Sequence, residues 1–225
     1  MSIRPVGITG LGMAVPERVL TNQDLERMVE TSDEWIRTRT GIRERRIAGD
    51  DEASSDYAVR AARQAMAQAG VTPDDVDLII CATVTPDMPM PATAALVQAA
   101  LGAHRAAAFD LSAACPGWIY AVVMAQQSIA TGLYNCALVI GVELLSKMVN
   151  WQDRTTCVLF GDAAGAAVLQ PVPEGRGILS SVLGAEGAGA CHLYTPAGGS
   201  RRPASPGTVE QGLHFVHMNG PEGFQ

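Results

Sequence analysis

The chain is predicted to form an α/β fold in which layered helices cover a largely buried mixed sheet. Short continuous apolar runs alternate with segments of helical spacing, the pattern of a sheet buried on both faces. Several of the helical segments close on a glycine, the residue that most readily takes the left-handed turn past a helix end. Apolar residues make up 48% of the 225 positions and charged residues only 17%, a balance that suits a packed core rather than disorder.

The first apolar run, residues 3–11, is closed by Gly12 and Pro16 and predicts a strand. Thr31 and Glu34 have capping-box spacing, so a helix carrying Trp35 and Ile36 begins there and ends near Gly41. Ser54 or Ser55 caps the next helix, in which Ala58, Ala62, Ala65 and Ala69 recur at helical spacing before Gly70. Residues 77–84 read as a buried strand, 91–101 as a helix opening on Pro91 and closing at Gly102, and 106–111 as a further strand. A helix over 116–131 ends at Gly132, and 137–141 is another buried strand. Residues 156–159 and 163–169 read as two strands around a Gly161-Asp162 turn. Beyond Pro171 the composition shifts to Gly, Pro and Ser, above all over 196–207, which predicts a surface loop before a last strand at 213–218. Length alone fits one domain or two.

A net charge of −7 argues against a nucleic-acid surface, which needs clustered Lys and Arg. The one basic cluster, Arg37, Arg39, Arg43, Arg45 and Arg46, is local. Most of it suits a solvated helix end, and its sharper reading is a small site for a phosphorylated cofactor or an acidic carrier. No apolar stretch is long enough to span a bilayer and no signal segment is recognised, so a membrane is not an expected partner. The five cysteines are widely spaced, without a CxxC pair, which predicts neither a disulfide framework nor a metal site and suits a reduced, cytoplasmic protein.

Of these cysteines, Cys115 lies between a predicted strand and a predicted helix that opens with Pro116. Its sulfur would stand beside the unpaired N–H groups and positive end of that helix. Ser112, Ala113 and Ala114 before it and Gly117 after it allow a tight turn and close approach of a thioester. Position alone leaves a small buried hydrophobe as the alternative. Cys81, Cys136 and Cys157 lie in apolar strand-like runs, and Cys191 in a loop without an evident partner.

Four stretches carry a resemblance. Thr31-Ser-Asp-Glu-Trp-Ile-Arg-Thr-Arg-Thr-Gly-Ile-Arg-Glu-Arg-Arg46, Asp110-Leu-Ser-Ala-Ala-Cys-Pro-Gly117, Phe160-Gly-Asp-Ala-Ala-Gly-Ala166 and Met218-Asn-Gly220 together resemble β-ketoacyl-acyl-carrier-protein synthase III, in order and spacing. The resemblance implies a thiolase-like fold, an internal duplication of which residues 1–172 would be the first half and 173–225 the linker and the start of the second. It implies an acyltransferase that opens fatty-acid synthesis by joining acetyl-CoA to malonyl-acyl-carrier protein, in a homodimer, with the coenzyme A thioester as substrate and no other cofactor. Cys115 would be the nucleophile. Trp35 and Arg154 would sandwich the CoA adenine, with Thr31 and Arg39 as neighbours, and Met90 and Phe160 would bound the acyl pocket, Met90 from across the dimer. The family's catalytic histidine and asparagine are expected beyond residue 225. His104, His192, His214 and His217 match neither, and the tail 221–225 departs from the family pattern. Gly161 and Gly165 lack the lysine and spacing of a phosphate loop and suggest a tight turn between strands. Related condensing enzymes with another acyl starter share the scaffold; a binding or dimerising half without turnover, and a hydrolase pairing Cys115 with His192 or His214, are the alternatives.

Overall fold

The computed structural model of the chain describes residues 3–220; the divergent tail 221–225 lies outside them. In chain order the elements are β1 (Val6–Ala14), β2 (Val19–Thr21), α1 (Asn22–Glu26), α2 (Asp33–Thr40), β3 (Glu44–Arg46), α3 (Ser54–Ala69), β4 (Leu78–Ala82), α4 (Thr93–Leu101), β5 (Ala107–Leu111), α5 (Gly117–Ala130), β6 (Ala137–Leu144), α6 (Arg154–Cys157), β7 (Asp162–Pro171), β8 (Leu193–Tyr194), α7 (Pro206–Glu210) and β9 (His217–Met218). They form two compact units, both discontinuous in sequence. The first comprises the residues up to 16, 49–143 and 163–183; the second comprises 17–48, 144–162 and the residues from 184 on.

The first unit is built on a mixed sheet of strand order β1-β7-β6-β4-β5. β1 pairs antiparallel with β7, whereas β4 runs parallel to both β5 and β6. Every residue of β4 is buried, which explains its unbroken apolar run: a parallel strand covered on both faces needs no polar alternation. α3 lies so close on β1 that a Cβ at Gly10 would stand 2.2 Å from the Ala65 carbonyl and one at Gly12 2.1 Å from that of Ala61. The alanine stripe of α3 and the glycines of β1 are therefore one feature, a helix lying directly on strand backbone. α5 buries Ala121, Ala125 and Ile129 in a cluster with Ile80, Val139 and Leu169.

Helix starts differ from the sequence expectation for a tertiary reason. Ser54 and Ser55 do not cap α3; Ala53 holds the N-cap position, and Ser54 donates its hydroxyl to the Thr85 carbonyl at 2.5 Å. The cap comes from Asp87, whose carboxylate accepts from the Ser55 N–H at 2.9 Å and from its hydroxyl at 2.6 Å. α4 likewise starts at Thr93 rather than Pro91, because the Asp110 carboxylate of β5 accepts from the N–H groups of Thr93 and Ala94, each at 2.7 Å.

The second unit packs α1, α2 and α6 with the β2–β3 hairpin around Leu20, Leu25, Ile36, Ile47, Val149, Cys157, Val158 and Val216. The strand expected at 156–159 is instead the end of the short helix α6 and the turn that follows it. Asp153 ends the preceding turn and its carboxylate accepts from the Thr155 N–H at 3.0 Å and hydroxyl at 2.7 Å, so a β-branched pair that reads as strand is captured as a helical turn. The expected last strand shrinks to β9, which pairs with β8. The surface loop contains α7, capped by Ser205.

Candidate active site

Cys115 stands between β5 and α5, where the chain leaves a parallel strand and enters a 14-residue helix. Ala114 adopts φ 48°, a left-handed conformation that costs a residue bearing a Cβ roughly 1–2 kcal/mol. The Gly117 N–H donates to the Ala114 carbonyl at 2.8 Å and closes the turn. This is the geometry of a nucleophile elbow, and it leaves Cys115 exposed. Pro116 occupies the N-cap position and Gly117 the first helical one, a residue later than the sequence suggested. No side chain caps the helix, so its leading N–H groups and positive dipole end face the turn that carries the sulfur. α5 is set on the sheet by Gly117 itself, where a Cβ would meet that of Ala82 at 3.4 Å.

Three of the other cysteines are disqualified as nucleophiles by burial, which disfavours the thiolate. It pushes Cys136 up to about 12 and Cys157 up to about 11, and raises Cys81 as well. Cys157 lies in α6 rather than in a strand. Cys191 is exposed and does have a neighbour, the His192 Nε2 at 4.0 Å from its sulfur. His217 stacks against Tyr194 across the β8–β9 pair, with ring centroids 6.0 Å apart.

The second unit brings together three of the residues singled out in the sequence. Ser32, one residue after the expected Thr31, caps α2 by accepting from the Trp35 N–H at 3.1 Å. Trp35 and Arg39 are four apart and share a helix face, and the Arg39 guanidinium carbon lies 4.6 Å from the Trp35 ring centroid. From α6, that of Arg154 lies 5.3 Å from the same centroid, and its Nη1 donates to the Glu30 carbonyl at 2.8 Å. Two cations thus engage one indole, an arrangement able to receive a flat aromatic base together with phosphate. Thr31, which precedes the cap, buries its hydroxyl without a hydrogen-bond partner among the described residues. Phe160 packs against the core of this unit.

Met90 belongs to the first unit and is 84% exposed. The loop carrying it is pinned rather than loose. The Val84 N–H and the Thr85 hydroxyl donate to the Glu143 carboxylate at 2.8 and 2.7 Å, and Asp87 holds the start of α3. Burial, the strongest influence on Glu143, holds its pKa above the usual carboxylate value despite those donors.

The basic cluster does not act as one patch. Arg37 pairs with Asp33 at 3.3 Å, Arg39 covers Trp35, and Arg43 lines a surface groove of about 390 Å³ with Asp33, Glu34, Arg37, Thr38 and Gly41. Arg45 departs from the solvated reading altogether, being 5% exposed. Gly161 is required by close approach, since a Cβ there would stand 2.9 Å from that of Arg45. The turn it serves joins α6 to β7, not two strands. Its neighbour Asp162, buried, accepts from the N–H groups of Ala48 and Ser146 at 2.7 and 2.9 Å. Arg45, Asn22, Asp87, Glu143 and Asp162 are the working residues that sequence reasoning missed. Asp162, inside the Phe160-Gly-Asp motif, and Arg45, inside the Thr31–Arg46 stretch and read there as one of a basic cluster, carried a local signal; the others carried none. Among the described residues no group of three His, Cys, Asp or Glu side chains could hold a metal ion. No described helix is long and apolar enough to cross a membrane.

The mixed sheet with its layered helices and the elbow after β5 define the class: the chain has the α/β architecture of thiolase-fold condensing enzymes. Residues 109–187 match the family model described as 3-oxoacyl-[acyl-carrier-protein] synthase III. The chain is 90% identical over 225 residues to a β-ketoacyl-[acyl-carrier-protein] synthase III of Symbiobacterium thermophilum, covering 100% of this chain and 68% of that protein. It is 59% identical over 219 residues to the protein of that name from Caldanaerobacter subterraneus subsp. tengcongensis, covering 97% of this chain and 66% of the relative. The crystal structure of the Thermus thermophilus synthase III superposes with a TM-score of 0.85 at 47% identity, covering 96% of this chain and 66% of that one. The chain belongs to the β-ketoacyl-acyl-carrier-protein synthase III family. It spans about two thirds of the length of the relatives it matches.

Proposed function

We propose that the chain supplies the acyl-accepting part of a synthase that opens fatty-acid synthesis, with Cys115 as nucleophile. The observation that carries the reading is the elbow: an exposed cysteine, a left-handed Ala114 behind it and an uncapped 14-residue helix in front. In the first step the Cys115 sulfur attacks the carbonyl carbon of acetyl-CoA. The new carbon–sulfur bond replaces the one to coenzyme A, which leaves as a thiolate and takes up a proton. In the second step, malonyl-acyl-carrier protein loses carbon dioxide and its carbanion attacks the acyl-cysteine, releasing acetoacetyl-carrier protein and regenerating the Cys115 thiolate. The histidine and asparagine that support decarboxylation in the family lie outside the motifs present here.

In the same reading Trp35 and Arg154 hold the CoA adenine, Arg39 and Thr31 complete that pocket, and Met90 and Phe160 bound the acyl group, Met90 reaching into a partner copy. The enzyme is a cytoplasmic homodimer whose partners are acyl-CoA and malonyl-acyl-carrier protein, and the thioester is substrate rather than resident cofactor. Residues 1–172 form the first half of a duplication and 173–225 its linker and the start of the second half. The strength of the family match supports these assignments, as does the presence of Trp35, Arg39 and Arg154 in one cluster.

The test is intact-mass spectrometry of the chain after incubation with acetyl-CoA, beside Cys115→Ala. An acetyl adduct on the parent and none on the variant is the expected result. A folded chain that binds CoA but gains no adduct would reduce its role to an acyl-CoA-binding half, and an adduct that survives Cys115→Ala would overturn the nucleophile.

A further inference from the structure

We propose that Arg45 is a positioning residue for the Trp35–Arg154 cluster, bracing α2 against α6 through a buried fork; this rests on the reading of that cluster as the CoA nucleotide site. Arg45 is 5% exposed, yet among the described residues no carboxylate pairs with it. Its Nη1 donates to the Leu20 carbonyl at 3.2 Å, and its Nη2 donates to the Asn22 Oδ1 at 2.9 Å and to the Val158 carbonyl at 3.1 Å. Its Nε is buried without a hydrogen-bond partner among the described residues.

A buried guanidinium without a counter-charge is costly, and desolvation accordingly lowers the pKa of Arg45. An apolar side chain of similar size would fill the space without that cost. What it could not do is reach three acceptors on separate elements with one rigid plane. The elements reached explain the arrangement. Val158 directly follows α6, which carries Arg154. Asn22, fully buried, passes the connection on: its Nδ2 donates to the Asp33 Oδ1 at 2.8 Å and to the Ile42 carbonyl at 2.9 Å. Asp33 is the first residue of α2 and Ile42 lies just past its end, so Asn22 grips both ends of the helix that carries Trp35 and Arg39.

The bare backbone at Gly161 lets the turn after α6 come against β3, where a side chain would collide with Arg45 and the Arg46 carbonyl. Arg154 has its own exposed bond to the Glu30 carbonyl, but that fixes the tip of one side chain. The Arg45–Asn22 fork fixes the helices from which the indole and both guanidinium groups project.

The experiment is calorimetric titration of coenzyme A into the 225-residue chain and its Arg45→Lys, Asn22→Ser and Trp35→Ala variants. Acetylation of Cys115 by a nucleotide-free thioester, S-acetyl-N-acetylcysteamine, is followed in parallel. Lysine keeps the charge but loses the fork, so Arg45→Lys is expected to weaken CoA binding about tenfold, with the nucleotide-free acetylation rate unchanged. In an Arg154→Ala background the same substitution is expected to cost less than about threefold, because the group it aligns is gone. A lowered melting temperature with CoA affinity unchanged, or additive effects in the two backgrounds, would overturn the proposal. Should Arg45→Lys fail to fold, Asn22→Ser decides, since it cuts only the arm to α2: unchanged CoA affinity in that variant overturns the brace. CoA binding that survives Trp35→Ala defeats the nucleotide reading itself, whereas binding that needs Trp35 but ignores Arg45 and Asn22 defeats the positioning role alone.

Discussion

The turn that presents Cys115 and the cluster around Trp35 are made from different materials. Around Cys115 the neighbours are Ser112, Ala113, Ala114 and Gly117, and the geometry is set by backbone: a left-handed residue, a closed turn and a helix start pressed onto β4. Around Trp35 the geometry is set by long side chains from separate elements, two guanidinium groups on one indole, with a third, that of Arg45, buried and bonded to the Val158 carbonyl just past α6. A backbone-made site is stiff locally and sensitive to any Cβ that the turn cannot accept. A side-chain-made site depends on the relative placement of helices, and so on buried polar groups remote from the ligand. In the proposed reading, chemistry at a single sulfur needs the first kind of precision, and recognition of a large nucleotide suits the second.

That contrast can be broken or sharpened by substitution. The largest effect is expected at the proposed nucleophile, where Cys115→Ala should abolish acyl transfer outright while CoA titration shows affinity within about twofold of the parent. Trp35→Ala should do the reverse, weakening CoA binding about tenfold by calorimetry while acetylation of Cys115 by a nucleotide-free thioester keeps its rate. If both variants lost both functions, the two regions would not be separable and the comparison would fail.

A pair at Ala114 tests the backbone side. Ala114→Val places a branched side chain at a left-handed position and should destabilise the chain by about 1 kcal/mol in urea unfolding, with slower acetylation, whereas Ala114→Gly relieves the strain and should fold at least as stably. The smallest effect is electrostatic. The Tyr57 hydroxyl is the main influence that lowers Glu52, at the foot of α3, from an ordinary 4.5 to about 2. A depressed carboxylate stabilises the fold above its unfolded value and loses that contribution as pH falls. The melting temperature of Glu52→Gln should therefore lie below the parent's at pH 7, and the gap should close between pH 4.5 and about 2.

Much of the architecture was legible because it rests on local rules. The wholly apolar run of β4 and the glycines closing α2, α3 and α4 appear where the sequence placed them, within a residue or two. Two of the misread helix starts share one cause, a polar group arriving from a distant part of the chain. Ser54 and Ser55 looked like caps and are not, because Asp87 lies against the helix start. Pro91 looked like the start of α4, yet Asp110 of β5 sets it two residues later. Arg45 looked like one more solvated charge in a basic run, since spacing carries no record of burial.

By itself the sequence determined the alternating α/β plan, the family, and Cys115 and Trp35 as the residues to examine, because periodicity, glycine placement and ordered motifs are properties of the chain read along its length. Only the tertiary structure decided that Ala114 takes the left-handed turn, that Arg39 and Arg154 meet on one indole, and that the buried Arg45 and Asn22 bond to Asp33, Ile42 and Val158 at the ends of α2 and α6. Those outcomes depend on which backbone carbonyls and carboxylates packing brings within about 3 Å of a donor, and no local pattern encodes such an encounter.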